Sequence, residues 1–321
     1  MKRLVLAAAL ALGLATPAAA QGTLRVAVGT TITQLDPALT TIGDEYIYVH
    51  LVFNGLTRID RDLTVKPDLA TSWTASDDLK VWTFKLREGV KWHHGRTLDA
   101  EDVVATMQRI LDPATGSRAR ANLGMVTKVE AVDPLTVRFT LDIPYAGFQD
   151  IFGERQLRIL AKDKLGEVKT TPTGTGPFMV KSWAPGDRME LARNPAYFEA
   201  GLPKLDGVTI RIVPEAAARL AALDSGAVDI VWNLPYESVE KYKNHPAARA
   251  DAVSTATWDG VILNNERPPF NDVRVRQALA ATIDKEALVE IVLFGQGAPT
   301  HSPIPPSHPY FNKAIPVGKP D

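Results

Sequence analysis

The chain has no cysteine, and that absence excludes disulfides, thiolate metal sites and cysteine nucleophiles together. It also excludes attachment of a lipid at a processed cysteine. Neither sign of charge is in excess, with 36 Lys and Arg against 37 Asp and Glu. No basic patch of the kind nucleic acid requires stands out, so no nucleic-acid partner is expected. Long apolar runs are absent beyond Leu4–Ala15, because charged residues or prolines interrupt every later hydrophobic stretch. A span of the hydrocarbon core needs roughly 20 apolar residues, so no transmembrane segment is expected. Nor is there a Gly-x-Ser-x-Gly elbow to seat a serine nucleophile. A hydrolase therefore stands as the alternative class, to be overturned or supported by turnover alone.

What is present begins with Lys2 and Arg3, the apolar run, Pro17 and the small residues Ala18, Ala19 and Ala20. This is the pattern of a secretory signal peptide over residues 1–20, cleaved before Gln21. The product is expected to be exported and free of a lipid anchor, in a Gram-negative periplasm. With 45% hydrophobic and 23% charged residues in 321, the remainder has ordinary globular composition and length for about two domains.

Leu24–Val28 reads as a first strand, followed by a polar loop through Gln34, Asp36 and Pro37, with Asp44 capping a helix through Phe53. Trp82–Leu86 alternates with period two, as a half-buried strand does. Asp99 caps a helix with Val103, Val104, Met107, Ile110 and Leu111 on one apolar face, stopped at Asp112-Pro113. Val126–Val132 and Leu135–Leu141 flank Asp133-Pro134 as a hairpin. Strands are expected near Phe178–Trp183, Val208–Val213, Val228–Trp232 and Trp258–Leu263, with helices over Glu215–Ser225, Asp272–Ile283 and Lys285–Phe294. Strand, helix and strand in succession indicate an α/β protein.

The pair His93–His94 invites a metal reading, but neighbours on a strand point to opposite faces and no spaced ligand cluster supports them, so local hydrogen bonding is expected. Gly174-Thr-Gly176 resembles part of a nucleotide loop, yet Pro177 and a strand follow where a phosphate-binding loop would open a helix. Its glycines are read as turn-formers with access to positive φ. Asp272, Arg274 and Arg276 at a helix start read as locally paired surface charge, with docking to a transporter as the alternative. No cofactor is expected.

Several motifs run in a fixed order: Leu56-Thr-Arg-Ile-Asp60, Lys66-Pro-Asp-Leu-Ala-Thr-Ser-Trp73, Trp82-Thr-Phe-Lys-Leu-Arg-Glu-Gly-Val-Lys-Trp92, His94-Gly95 and Ala100-Glu-Asp-Val-Val104. Then come Gly174-Thr-Gly-Pro-Phe178, Arg193-Asn-Pro-Ala-Tyr-Phe198, Leu223-Asp-Ser-Gly226 with Val228-Asp-Ile230, and Pro269-Phe-Asn-Asp-Val-Arg-Val-Arg-Gln-Ala-Leu279. In this order they resemble the extracellular solute-binding proteins of ABC importers, in the class of peptide and nickel binders (family 5). The resemblance implies a non-enzymatic α/β protein of the two-lobed, type II periplasmic-binding-protein-like fold with an inserted extra lobe, here missing most of the C-terminal lobe. Residues 21–50 and 172–263 would form lobe I, 51–171 the inserted lobe, and 264–321 the start of the opposing lobe. It also implies a monomer that holds a peptide or other small-molecule ligand in a cleft and delivers it to ABC-transporter permease subunits, touching the membrane complex only peripherally. Peptide leads by family weight; a saccharide, an opine, a nickel chelate or haem remain open. The ligand contacts expected from strand ends are Gln34, Leu35, Gly174, Thr175, Gly176, Trp232, Asn233, Trp258 and Asp259.

Overall fold

A computed structural model describes residues 22–253, 257–306, 308, 310–318 and 320. The expected signal peptide lies outside the described residues. The described chain forms two compact units, one comprising the chain to Asp60 and Thr64–Ile212, the other Arg61–Leu63 and Val213 onward.

The first unit contains two larger sheets with separate cores and a two-stranded antiparallel ribbon. Strands β1 (Thr23–Val28), β2 (Thr57–Ile59), β3 (Val65–Pro67), β4 (Ala70–Ala75), β5 (Val81–Leu86), β6 (Val126–Asp133), β7 (Thr136–Leu141), β8 (Phe178–Ala184), β9 (Arg188–Arg193) and β10 (Gly207–Ile212) belong to it, with helices α1 (Glu45–Val52) and α2 (Ala100–Leu111). In the mixed sheet β1 runs parallel to β10, with Val26 opposite Ile210, and β10, β9 and β8 follow antiparallel. Val26, Val28, Met189, Leu191, Val208 and Ile210 from this sheet pack with Tyr48, Val49, Val52 and Phe53 of the α1 region.

The second sheet is antiparallel in the order β4-β5-β7-β6. The alternation over Trp82–Leu86 is observed, with Trp82, Phe84 and Leu86 buried and the residues between them more exposed. Phe84, Phe139, Phe148 and Phe152 form a cluster of edge-to-face and tilted ring pairs with centroids 5.2–6.4 Å apart. Each such ring contributes roughly 1.5–3 kcal/mol through burial. Helix α2 packs against β6 and β7 through Val103, Met107 and Ile110. Its start is the expected one: the Asp99 carboxylate accepts from the Asp102 amide, and Asp102 returns the bond to Asp99.

The second unit holds helices α3 (Ala216–Asp224), α4 (Val239–Lys243), α5 (Val273–Ala281) and α6 (Lys285–Val292), and a two-residue strand, β11 (Ile230–Val231). Gly226, at φ +70°, closes α3 as the sequence suggests. The strand expected over Trp258–Leu263 does not form. Val261 and Ile262 are 71% and 90% exposed, and no ladder pairs their backbone. Asp272 caps α5 by accepting from the Arg274 amide at 2.9 Å and pairs with the Arg274 guanidinium at 2.6 Å, the local pairing read from the sequence. No residue of α5 or α6 is buried. Among the described residues no helix is long and apolar enough to cross a membrane.

Candidate functional site

The chain leaves β1 into a loop whose backbone is fastened to α1 from below. Glu45, the first residue of α1, is fully buried, and its two carboxylate oxygens accept five hydrogen bonds. Oε1 takes the Thr33 amide at 3.0 Å, the Thr33 hydroxyl at 2.8 Å and the Gln34 amide at 3.2 Å. Oε2 takes the Thr41 and Ile42 amides at 2.9 and 3.1 Å. A buried carboxylate is tolerable here because donors replace its hydration and the helix start supplies positive dipole. Asp44 does not cap its own helix, as the sequence suggests it should; its Oδ2 instead accepts from the Thr30 amide and hydroxyl at 2.9 and 2.7 Å. Asp36, also fully buried, caps the turn Pro37–Leu39 and pairs with Arg109 of α2. Of the two contacts expected on this loop, Gln34 is half-buried, and Leu35 is buried with its carbonyl accepting from Tyr48.

Gly174, Thr175 and Gly176 lie at the other end of α1, about 10 Å along an eight-residue helix. All three are buried, and the Thr175 hydroxyl donates to Asn54 Oδ1 at 2.9 Å. Neither glycine has positive φ, which corrects the turn-former reading. The requirement is close approach: a Cβ on Gly174 would lie 1.8 Å from the Val52 carbonyl oxygen, and one on Gly176 would lie 2.5 Å from the Val52 carbonyl carbon. The Gly176 amide donates to that same Val52 oxygen at 2.9 Å, closing the end of the helix.

His93 completes this junction. Its amide donates to the Gly174 carbonyl at 2.9 Å, the Gly174 amide donates to Nδ1 at 3.2 Å, and Nε2 lies 3.0 Å from the Gly176 carbonyl. Since Nδ1 must accept, Nε2 carries the proton, and the ring is neutral. Burial holds it down to about 4. His94 points elsewhere, to Asp163 at 3.1 Å; the two histidines lie in a turn rather than on the strand end the sequence suggests, and the pair divides between two partners. Beneath the junction Asn54 donates to Asp68 at 2.8 Å, and Arg158 approaches Asp68 at 3.9 Å, both charged side chains being almost wholly buried. Burial pushes the Asp68 carboxyl up to about 6 although Arg158 and the Gly55 amide favour its charged form. Asn194 donates to the Gly176 carbonyl at 2.8 Å. Asn54, Asp68, His93, Gly174–Gly176 and Asn194, far apart in sequence, thus meet in one polar knot. Sequence reasoning missed this role for Asp68 and Asn194, although each sits inside a motif it singled out, and for His93, which it read as one of a pair hydrogen-bonding locally.

The remaining expected contacts fall in the second unit. Trp232 and Trp258 are 45% and 43% exposed, Asp259 is exposed, and Asn233 adopts φ +57°. Large indoles left this open to solvent are suited to stacking on a solute. Among the described residues no group of three or more His, Cys, Asp or Glu side chains is placed to hold a metal.

The mixed α/β architecture, a sheet of β1, β10, β9 and β8 interrupted by a second sheeted segment, is that of type II periplasmic-binding-like proteins. Residues 64–321 match the family described as bacterial extracellular solute-binding proteins, family 5, middle region, and the chain belongs to that family. The family comprises binding proteins, not enzymes, and places the protein in the periplasm. The chain is 33% identical over 292 residues to the glutathione-binding protein GsiB of Escherichia coli K12, covering 89% of this chain and 56% of that one. It therefore spans little more than half the length of such curated relatives. Among solved structures it is similar to the ABC transporter-associated periplasmic binding protein DppA of Helicobacter pylori in complex with the peptide STSA. The TM-score is 0.82 at 28% identity, over 94% of this chain and 64% of that one. It is also similar to AgaA of Agrobacterium tumefaciens R10 in complex with agropinic acid. There the TM-score is 0.79 at 27% identity, over 91% and 60% of the two chains.

Proposed function

We propose that the protein captures a small solute, in the first instance a di- or oligopeptide, and delivers it to the permease subunits of an ABC importer. The observation that carries this reading is the likeness of nearly the whole chain to a peptide-bound periplasmic protein, at TM-score 0.82. Glutathione, the ligand named for the curated relative, is itself a tripeptide. In this reading residues 21–50 and 172–263 act as lobe I, 51–171 as the inserted lobe and 264–321 as part of the opposing lobe. Lobe closure around the solute supplies the affinity, because only differential binding to the closed state shifts that equilibrium. Gln34 and Leu35 on the fastened loop, Gly174–Gly176 at the end of α1, and Trp232, Asn233, Trp258 and Asp259 are the proposed contacts.

Acid extraction of the natively purified protein, followed by mass spectrometry of what is released, tests the reading. Release of a peptide in near-stoichiometric amount supports it. Release of an opine or sugar keeps solute capture and replaces the ligand class. Finding no released solute, together with no binding heat for any of these classes, contradicts it.

A further inference from the structure

The sequence places a glycine directly after Asn or Asp at Asn54-Gly55, Asp206-Gly207 and Asp259-Gly260. Such pairs carry a chemistry of their own. Glycine has no side chain to obstruct its amide nitrogen and adopts conformations closed to other residues, so the nitrogen can reach the side-chain carbonyl carbon of the residue before it. The fold treats the three pairs differently.

Asn54-Gly55 is locked in the polar knot. Asn54 is buried, its Nδ2 donates to Asp68 Oδ1 at 2.8 Å, and its Oδ1 accepts from the Thr175 hydroxyl at 2.9 Å. The Gly55 amide, the nucleophile in any such reaction, donates to Asp68 Oδ2 at 3.0 Å. Asp206-Gly207 is locked at the start of a strand. Gly207 is buried in β10 between Thr23 and Ala192, and Asp206 Oδ2 accepts from the Gly22 amide at 3.2 Å. The Asp206 amide and carbonyl are also engaged, by Gly22 and Arg193.

Asp259 and Gly260 are both exposed and belong to no helix or strand. Among the described residues no hydrogen bond or ion pair holds the Asp259 side chain or the backbone of either residue. The nearest side chain is the half-exposed Trp258, whose ring lies where a Cβ on Gly260 would be, 2.2 Å from it. Reaction here needs no opening of a folded element, whereas at the other two pairs hydrogen bonds must break first.

We infer that Asp259-Gly260 is a site of self-modification, at which aspartate isomerises to isoaspartate through a succinimide. The Gly260 amide nitrogen bonds to Asp259 Cγ, and the amide proton and the carboxyl hydroxyl leave together as water. Water then opens the five-membered ring. Attack at Cγ restores aspartate; attack at the backbone carbonyl leaves the chain linked through Cγ, one carbon longer, with a free α-carboxylate. Nothing is oxidised or reduced, and the composition is unchanged. Asp259 also stands among the proposed solute contacts, and the extra carbon displaces its carboxylate there. That consequence rests on the solute-capture reading, whereas the site itself does not.

Incubation of the full chain at neutral pH, followed by proteolysis and electron-transfer fragmentation to distinguish the two linkages, tests the inference without any solute. Isoaspartate is expected to accumulate at Asp259 at least about ten times faster than at Asp206, while Asn54 keeps its amide. G260A, whose new methyl group meets the exposed Trp258 ring, is expected to slow the conversion about tenfold. D259N, which expels ammonia in place of water, is expected to convert faster than the parent and to be read as a gain in mass. An Asp259 that stays in its ordinary linkage overturns the inference. Conversion at Asp206 or Asn54 that matches it, or G260A converting at the parent's rate, overturns it equally.

Discussion

His93 and Gly174 exchange two hydrogen bonds, backbone amide to carbonyl at 2.9 Å and backbone amide to imidazole Nδ1 at 3.2 Å. A histidine read from sequence as a metal candidate or a local hydrogen-bonder proves to be the link between the inserted segment and the strand re-entering the mixed sheet. Its neutral form is required, because a protonated Nδ1 has no lone pair for the Gly174 amide.

Two titrations with opposite sign follow in the mildly acid range. For His93 the folded value is about 4 against an ordinary 6.5, so the unfolded chain binds more protons between them and His93-dependent stability is lost as pH falls through that window. For Asp68 the folded value is about 6 against 3.8, so the folded chain binds more protons between them and stability is lost as pH rises through that window. The two slopes, each up to about 1.4 kcal/mol per pH unit, oppose one another from about pH 4 to 6. Denaturant melts from pH 4 to 7 should show D68N losing stability toward acid more steeply than the parent, and H93Q gaining it. Parallel profiles for all three proteins would contradict the assignment.

Alanine at Gly174 or Gly176 should be severely destabilising, at about 4 kcal/mol or more, because the new Cβ would meet Val52 backbone at 1.8 or 2.5 Å, where no flexible side chain can move aside. The same change at Gly186, where nothing lies within 4 Å, should cost far less, chiefly the strain of its φ of +78°. Urea melts of the three variants check this ordering; equal losses would contradict it.

The glycine motif shows what the sequence makes legible and what it does not. The order and spacing of motifs were enough for the family, and local rules placed the Asp99 cap, the Trp82–Leu86 strand and the hairpin around Asp133-Pro134. Those features depend on neighbours in the chain. That Gly174 is needed against Val52, or that Asn194 reaches the Gly176 carbonyl, depends on residues far apart in sequence whose meeting no periodicity announces. The Trp258–Leu263 strand failed for the complementary reason: alternation describes a strand only when a partner takes up its hydrogen bonds.

Glu45→Gln should loosen the loop that carries Gln34 and Leu35. An amide nitrogen would face donors that now have oxygen acceptors, leaving at least two of the five without a partner, at a cost of about 2–4 kcal/mol. Hydrogen exchange at Thr33, Gln34, Thr41 and Ile42 should accelerate before the sheets open. Unchanged protection there would show that the carboxylate does not hold the loop.

Trp232→Ala and Trp258→Ala should each weaken solute binding about tenfold while leaving thermal stability of the free protein nearly unchanged, since both indoles are more than 40% exposed. Calorimetry with the solute recovered from the native protein decides this. Affinity equal to the parent removes that tryptophan from the proposed contacts.

The central claim is that this chain captures a small solute, and a thermal-shift panel of dipeptides, oligopeptides, opines, oligosaccharides, nickel chelates and haem tests it most directly. A solute present at one hundred times its dissociation constant should add about 2.7 kcal/mol to stability. The account expects one class, peptides, to raise the melting temperature in a concentration-dependent way while the others leave it unmoved. A shift from a different class alone would contradict the peptide assignment, and a panel that moves nothing would contradict solute capture by this chain.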